Sequence, residues 1–306
     1  MKKTLFFIAL LFSVPALAQK KDDVPKTFDM VIGAYTTGSS KGISVYRFYT
    51  ETGRTAYLSE IDGIDNPSYV CFSANHRFIY SVNEIGADRK GSVSAFSFEP
   101  KVGKITLINK QPSTGTGPCY ISIDKDQKHV FVANYAGGSL SVLPVNKDGS
   151  LAPVVQTIQD GGHSINKTRQ AGPHVHTAVL SPDEKYLLYT DLGTDKLNIY
   201  RYHDNKDKPL TPADPSSVSV IAGHGPRHLD FSPDKKRLYM ITEMGGVVYV
   251  YDYNKGKVKQ VEAISILANG YKGAIGGAAI KVSPDGRFLY CTDRGDANDI
   301  IVFAIN

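Results

Sequence analysis

The sequence predicts an all-β protein, a propeller assembled from four-stranded blades, and three observations lead to this fold class. The 306 residues include 18 Tyr and 13 Phe, together with 28 Gly, 16 Pro and no Trp, which suits many short strands joined by tight turns. No long stretch has the apolar spacing of a helix. One pattern of turns and strands recurs with a period near 50 residues, and a strand-only repeat of this length is typical of a propeller blade.

Each copy of the repeat has an apolar strand, a tight turn and a second strand rich in Tyr, Val and Leu. The turns read SANHR, DKDQK, SPDEK, SPDKK and SPDGR, which are typical of tight hairpins. They begin at Ser73, Asp124, Ser181, Ser232 and Ser283. Third strands such as SLSVLPV and KLNIYRY follow, with weaker fourth strands such as APVVQTI. The earlier segment FDMVIGAYTTGSSKGISVYRFY matches only a second and third strand, so the first blade is expected to lack its inner strand.

The first residues, MKKTLFFIALLFSVPALAQ, have the pattern of a signal peptide. A basic start precedes an apolar run from Leu5 to Val14 and small residues at Ala16 and Ala18. The run has about half of the ~20 residues needed to cross a bilayer, and no other segment approaches that length. We predict a signal peptide over residues 1–18 cleaved near Ala18, a linker over residues 19–27, a propeller domain over residues 28–306, and export to the periplasm without a membrane span.

Charge and cysteine content argue against several classes of function. The formal net charge is +5 and falls to about +3 without Lys2 and Lys3. The other basic residues are spread along the chain, whereas a nucleic-acid groove needs basic clusters with stacking aromatics on one face. Cys71, Cys119 and Cys291 lie in different units without metal-ligand spacing, so we expect buried free thiols. The sequence indicates no nucleic acid, no cofactor and no obligate protein partner.

The repeat predicts where polar residues converge. The first strand of a blade runs beside the central channel and the second returns antiparallel to it, so the start of one and the end of the other lie at the same mouth. Arg227 stands five residues before one turn and Glu243 eleven after it, which makes them neighbours across one hairpin. The same argument brings His176 and Arg294 from the adjacent blades. We predict a pocket of these four residues.

The ends of the second strands add polar side chains at this mouth. Four residues there are predicted to bind substrate: Glu84, Asn134, Asp191 and Asp293. His174 and His176 alternate along a strand, so only one of them can face the channel, and we assign that place to His176. His228 directly follows Arg227 and is expected to turn into the blade as a structural histidine.

A structural role is the alternative for each of these residues, since polar side chains at strand ends often cap loops, and Arg227 with Glu243 alone could be a structural pair. Ionisable groups from three adjacent blades at one rim favour a ligand site, because converging charges are costly unless a ligand or network uses them. A metal site is not expected, since no ligand spacing is recognisable and two Arg side chains would repel a cation. The absence of a G-x-S-x-G pattern argues against a nucleophilic Ser.

With these motifs the chain resembles the lactonase family of seven-bladed β-propellers, which includes bacterial 6-phosphogluconolactonase and fungal carboxy-cis,cis-muconate cyclase. The likeness runs from about Met30 to the C-terminus and is carried by GTGPCYISIDKDQKHVFVANYAGGSLSV, GPHVHTAVLSPDEKYLLYTDLGTDKLNIY, GPRHLDFSPDKKRLYMITE and VSPDGRFLYCTDRG. The family's site corresponds to His176, Arg227, Glu243 and Arg294. Members of the family continue through another blade, so this chain is expected to be about one blade short at its C-terminus.

The resemblance implies a lactonase that opens a sugar δ-lactone with water. Arg227 and Arg294 would bind the developing oxyanion and any phosphate or carboxylate of the substrate. His176 and Glu243 would activate the water as a base pair, in an order left open. Export favours an unphosphorylated lactone such as glucono-δ-lactone. Two alternatives remain: a muconate-type cycloisomerase, and a non-catalytic exported propeller that binds a ligand or protein partner.

Overall fold

The computed structural model describes residues 25–85 and 90–306, and within them every regular element is a β-strand. The predicted signal peptide, and the linker up to residue 24, lie outside the described residues. The strands form six antiparallel sheets, here named blades 1 to 6 in chain order. Blades 2 to 5 have four strands each, and blades 1 and 6 have three. The all-β propeller prediction is confirmed, including the expectation of about one blade fewer than seven.

The strands follow one another in chain order within each blade, apart from the direction in which a sheet is read. Blade 1 contains β1 (Thr27–Gly33), β2 (Ile43–Tyr49) and β3 (Thr55–Ile61); blade 2 contains β4 (Val70–Phe72), β5 (Phe78–Asn83), β6 (Lys90–Glu99) and β7 (Lys104–Thr116); blade 3 contains β8 (Pro118–Ile123), β9 (His129–Asn134), β10 (Ser139–Pro144) and β11 (Gln156–Gln159). Blade 4 contains β12 (Val175–Leu180), β13 (Tyr186–Asp191), β14 (Lys196–Tyr202) and β15 (Leu210–Ser219); blade 5 contains β16 (Pro226–Phe231), β17 (Arg237–Thr242), β18 (Val247–Asn254) and β19 (Lys257–Ser265); blade 6 contains β20 (Gly277–Val282), β21 (Phe288–Asp293) and β22 (Ile300–Ala304).

The repeated Ser-Pro-Asp-like turns join the two inner strands of blades 2 to 6. In the SPDGR copy, the Ser283 hydroxyl accepts a hydrogen bond from the backbone N–H of Phe288 at 3.0 Å and donates one to Asp285. Gly286 then has a φ of 72°, a left-handed conformation that glycine adopts at little cost. These local bonds close the hairpin, so both ends of each inner strand pair have fixed positions.

The core consists of apolar faces of adjacent blades packed against each other. Between blades 3 and 4, for example, Phe131 and Leu140 pack with Leu187 and Tyr189, all of them buried. Burial of such side chains stabilises each by about 1.5–3 kcal/mol relative to exposure. Each blade therefore depends on its neighbours for its core, and the packed interfaces hold the strand ends of different blades around one mouth.

A β-bulge recurs at the start of the innermost strand in blades 3, 4 and 5. In each case one residue has no partner in the pairing register of the neighbouring strand, and these residues are Cys119, His176 and Arg227. A bulge bends its strand and changes the direction of the side chains beside it. In these three blades the residue five positions before the turn lies at the bulge and lines the cavity described below.

Candidate active site

A cavity of about 380 Å³ lies at the mouth where the inner strands of blades 3, 4 and 5 begin. All four residues of the predicted pocket line it, namely His176, Arg227, Glu243 and Arg294, and so does Glu84. They reach it from blades 2, 4, 5 and 6, so the site is assembled from parts of the chain up to 210 residues apart in sequence. The packing of the blades, rather than any single loop, brings them together.

Glu243 is the centre of the site. Its side chain is 9 % exposed, and the carboxylate oxygen Oε2 lies 3.1 Å from Nε of Arg227 and 3.1 Å from Nη2 of Arg294. Nε2 of His176 lies 3.8 Å from the same oxygen. The backbone N–H of Glu243 donates to the carbonyl of Gly225 at 2.8 Å, which fixes the carboxylate across the hairpin from Arg227. Blades 4, 5 and 6 thus contribute polar groups to one carboxylate oxygen.

Arg169 is a fifth participant that the sequence did not predict. It lies in the loop between β11 and β12, outside the repeated strand positions. Its Nη2 is 2.5 Å from Oε1 of Glu243 and donates to the hydroxyl of Tyr135 at 3.2 Å. No repeat position could have identified it, because loops between blades differ in length and sequence. Three guanidinium groups therefore surround one carboxylate.

This cluster controls the charge of its neighbours. Burial, followed by the nearby Arg227 guanidinium, lowers the pKa of His176 well below its usual value of 6.5, so the imidazole is neutral at neutral pH. Burial and repulsion by Arg294 also lower the pKa of Arg227. The hydrogen bond to Glu243 raises the pKa of Arg169. The three guanidinium charges exceed the single negative charge of Glu243.

The expectation that His228 turns into the blade is wrong. Its ring lines the cavity, 5.1 Å from the ring of His176, and its Nδ1 lies 3.1 Å from Nη1 of Arg227. The bulge at Arg227 interrupts strand alternation, which explains how two consecutive residues both face the cavity. His174 instead stacks on Tyr135 and its Nδ1 approaches the carbonyl oxygen of that residue at 3.0 Å, so the choice of His176 over His174 agrees with the geometry.

The opposite wall of the cavity carries hydroxyl groups and a second carboxylate. The hydroxyl of Ser68 donates to Oε2 of Glu84 at 2.5 Å, and the hydroxyl of Tyr35 donates to the same oxygen at 2.8 Å. Burial, followed by the bond to Glu84, raises the pKa of Tyr35, which keeps the phenol protonated. Sequence analysis predicted Glu84 at this wall but neither of its hydroxyl partners.

Three other predicted substrate-binding residues do not line the cavity. Asn134, Asp191 and Asp293 are buried at the ends of their strands. Oδ1 of Asp191 accepts the backbone N–H of His174 at 2.7 Å, and Oδ1 of Asp293 accepts that of Gly276 at 2.7 Å. Asn134 donates to hydroxyls within its own blade. Asp191 and Asp293 thus hold the loops that lead into the inner strands, whereas Asn134 links the second and third strands of blade 3.

Residues 29–306 match the model of a family described as a lactonase with a seven-bladed β-propeller. The chain belongs to this lactonase family. It is 35 % identical over 277 residues to the 6-phosphogluconolactonase of Bacillus subtilis, covering 90 % of this chain and 77 % of that protein. It is 33 % identical over 282 residues to the 6-phosphogluconolactonase of Formosa agariphila, covering 90 % of this chain and 79 % of that protein.

The chain is also similar in fold to a solved structure. The periplasmic gluconolactonase of Pseudomonas aeruginosa superposes with a TM-score of 0.87 at 37 % sequence identity, covering 92 % of this chain and 79 % of that one. Among residues 25–85 and 90–306 of the present lactonase-family chain, no three His, Cys, Asp or Glu side chains are grouped as a metal site would require. The same residues include no helix that is long and apolar enough to span a membrane.

Proposed function

We propose that the protein is a lactonase that hydrolyses a sugar δ-lactone in the cavity at the propeller mouth. The single observation that carries the proposal is the grouping of His176, Arg227 and Arg294 around the carboxylate of Glu243 in one cavity. Membership of the lactonase family supports it, as do the names of two relatives, 6-phosphogluconolactonase. Such groups supply what lactone opening needs: cations for the oxyanion and a base for water.

Arg227 is the residue best suited to stabilise the oxyanion that forms when water attacks the carbonyl carbon. Its side chain is only 12 % exposed, and its bond to Glu243 fixes its direction before substrate arrives. A fixed guanidinium in a site of low dielectric stabilises developing charge more strongly than water does. Removing one such donor typically costs a factor of about 10²–10³ in kcat. Arg294 adds a second cation at 3.1 Å from the same carboxylate oxygen.

The geometry favours His176 as the proton acceptor and Glu243 as the group that positions it. The lowered pKa leaves the imidazole unprotonated and able to accept a proton from water. Both oxygens of Glu243 already accept hydrogen bonds from guanidinium groups, so the carboxylate is fixed in orientation beside His176. Oε2 at 3.8 Å would stabilise the imidazolium that forms on His176. Help from a general base is typically worth about 10²- to 10⁴-fold.

Glu84 would bind substrate from the other wall. A sugar lactone carries several hydroxyl groups, and an ionised carboxylate accepts hydrogen bonds from hydroxyls. Ser68 and Tyr35 already donate to Glu84 and fix its orientation. The substrate would thus lie with its carbonyl toward Arg227 and ring hydroxyls toward Glu84. Export to the periplasm is part of the proposal, and the periplasmic gluconolactonase of Pseudomonas aeruginosa, a structural neighbour, supports it.

The test is hydrolysis of glucono-δ-lactone and 6-phosphoglucono-δ-lactone by the purified protein at mildly acidic pH, where spontaneous opening is slow. The protein should accelerate at least one of them, and Arg227→Ala and His176→Ala should each remove most of the acceleration. A wild-type rate equal to the blank with both lactones, or full activity in both variants, would contradict the proposal. Unsaturated dicarboxylates such as muconates belong in the same panel, because turnover of these alone would indicate a cycloisomerase.

A further inference from the structure

We propose that Arg169 is a substrate-binding residue that, together with Arg294, holds an anionic substituent of the lactone at the rim of the cavity. This inference rests on the proposed lactonase function and assigns a further residue to its substrate-binding site. The substrate would carry a phosphate or a carboxylate at a distance from the lactone carbonyl. Both groups accept paired hydrogen bonds from guanidinium forks.

Charge balance is the first argument. Arg169, Arg227 and Arg294 contact Glu243, so three positive charges share one negative charge. The neighbouring His176 adds no negative charge, and burial raises the pKa of Tyr135, which keeps that phenol neutral. Arg294 is one cause of the lowered pKa of Arg227, so these two cations already repel each other. A bound anion would relieve this repulsion.

Exposure separates the cations into two kinds. The side chain of Arg227 is 12 % exposed, whereas those of Arg169 and Arg294 are 44 % and 55 % exposed. A guanidinium has five N–H donors, and the contacts found for these two side chains within the described residues use only Nη2 of each. Arg227 therefore faces the depth of the cavity, while Arg169 and Arg294 offer further donors at its rim.

The loop that carries Arg169 is held in place before any ligand binds. The side-chain oxygen of Asn166 accepts the backbone N–H of Arg169 at 3.0 Å. The next residue, Gln170, is fully buried and donates from Nε2 to the carbonyl of Leu192 at 2.9 Å. A cation on an anchored loop loses little conformational freedom when it binds a ligand, so more of its interaction appears as affinity.

The experiment compares lactones that differ only at C6: glucono-δ-lactone with a hydroxyl, 6-phosphoglucono-δ-lactone with a phosphate, and the corresponding lactone with a carboxylate. In the wild type, kcat/KM should be higher for at least one anionic lactone than for the neutral one. The quantity compared is the ratio of kcat/KM for the preferred anionic lactone to kcat/KM for the neutral one. Arg169→Gln should lower this ratio by about 10- to 100-fold, the range for a hydrogen bond to a charged group. Arg169→Lys should retain part of the preference. The lactone with the larger ratio shows whether phosphate or carboxylate is the preferred anion.

The ratio is the decisive quantity because Arg169 also contacts Glu243, so its removal can lower turnover of every lactone. The control is Arg54→Gln, which makes the same charge change in the exposed hairpin between β2 and β3, at the far end of the strands. Arg54→Gln should leave the ratio at its wild-type value. A ratio in Arg169→Gln within twofold of wild type, or an equal fall in Arg54→Gln, would overturn the proposal.

A binding measurement separates this inference from the proposed function. If the wild type hydrolyses none of the lactones, the lactonase proposal fails, but titration calorimetry with inorganic phosphate and with glucarate still tests the rim. The wild type should bind one of these anions, and Arg169→Gln should weaken that binding at least fivefold relative to Arg54→Gln. Failure of the wild type to bind either anion, or equal binding by both variants, would overturn the role of Arg169.

Discussion

The two walls of the cavity are built from the same positions of the repeat and yet have opposite chemistry. In blade 5 the residue five before the start of the turn is Arg227 and the residue eleven after it is Glu243. Nε of Arg227 and Oε2 of Glu243 are 3.1 Å apart. In blade 2 the same positions hold Ser68 and Glu84, and Oγ of Ser68 lies 2.5 Å from Oε2 of Glu84. Both hairpins bring a carboxylate to the mouth against a partner on the adjacent strand. The partner decides what that carboxylate can do.

Guanidinium partners neutralise Glu243 and leave the blade 5 wall with excess positive charge, whereas hydroxyl partners orient Glu84 without neutralising it. A lactone carbonyl that develops negative charge belongs at the first wall, and hydroxyls of a sugar ring belong at the second. The propeller thus brings two matched hairpins to one cavity, and the proposed substrate would lie between them.

The largest effect should follow from Glu243→Gln. This substitution changes the centre of the cationic wall, the side of the cavity formed by Glu243 and its three guanidinium partners. The amide loses the charge that orients three guanidinium groups and would stabilise imidazolium on His176. We expect kcat/KM for the preferred lactone to fall by about 10²- to 10³-fold, as for removal of a key electrostatic group. Glu262→Gln, an exposed change on β19, is the matched control and should be neutral. A loss below threefold would mean that the cluster is structural.

A smaller effect should follow from Glu84→Gln on the opposite wall. The amide keeps a hydrogen-bonding group beside Ser68 and Tyr35 but loses the charge that attracts substrate hydroxyls. We expect kcat/KM to fall about 5- to 50-fold, mainly through KM, which corresponds to the loss of one charge-assisted hydrogen bond. Steady-state kinetics on a lactone series lacking single ring hydroxyls would test this. An equal penalty for every member of the series would argue against direct contact.

Sequence reasoning predicted which residues meet in the candidate site because propeller hairpins reverse within a fixed number of residues. The turn sequences set the spacing, and that spacing predicted the contact between Arg227 and Glu243. The fold class followed from the same repeat. Each of these inferences depends on the pairing of neighbouring strands within one blade. The register of that pairing is set by a single continuous segment of the chain, through its turn and its apolar pattern.

Two features could not be predicted in this way. The bulge at Arg227 shifts strand alternation, so His228 faces the cavity, and nothing in the local sequence marks that irregularity. Arg169 reaches Glu243 from a loop whose path depends on buried Gln170. The repeat also placed Asp191 and Asp293 at the correct end of their strands without showing that they would bind backbone N–H groups there.

The pH profile of kcat/KM sharpens the comparison at the cationic wall. Burial and Arg227 lower the pKa of His176 well below 6.5, so this imidazole, the proposed base, is unprotonated through the range in which an ordinary histidine titrates. We expect kcat/KM to fall on the acid side only below pH 6.5, so the profile should show no inflection at pH 6.5. Arg227→Gln should move this acid limb of the profile toward higher pH, since the neighbouring charge is removed. A wild-type limb centred at 6.5 or above would show that His176 does not govern the rate.

The smallest effect concerns Asp160, a carboxyl outside both walls that has the acid Asp191 among its neighbours. Burial, and to a lesser extent Asp191, raise its pKa to about 7, although the hydrogen bond from Tyr189 acts in the other direction. The folded protein therefore holds a proton that the unfolded chain releases near pH 4. It follows that this group lowers stability progressively as pH rises from about 4 to about 7.

Asp160→Asn should remove that pH dependence, because an amide resembles the protonated acid. Relative to wild type, its Tm should rise by roughly 1–4 °C at pH 8, with a smaller difference at pH 5. Taking the difference between variant and wild type at each pH cancels the opposite contribution of His176 and His228, whose lowered pKa values favour the folded state as pH rises toward 6.5. Asp62→Asn, an exposed change, should give no such difference. An equal Tm change at both pH values would mean that Asp160 is ionised in the folded protein, and that burial beside a second carboxylate does not suffice to hold its proton.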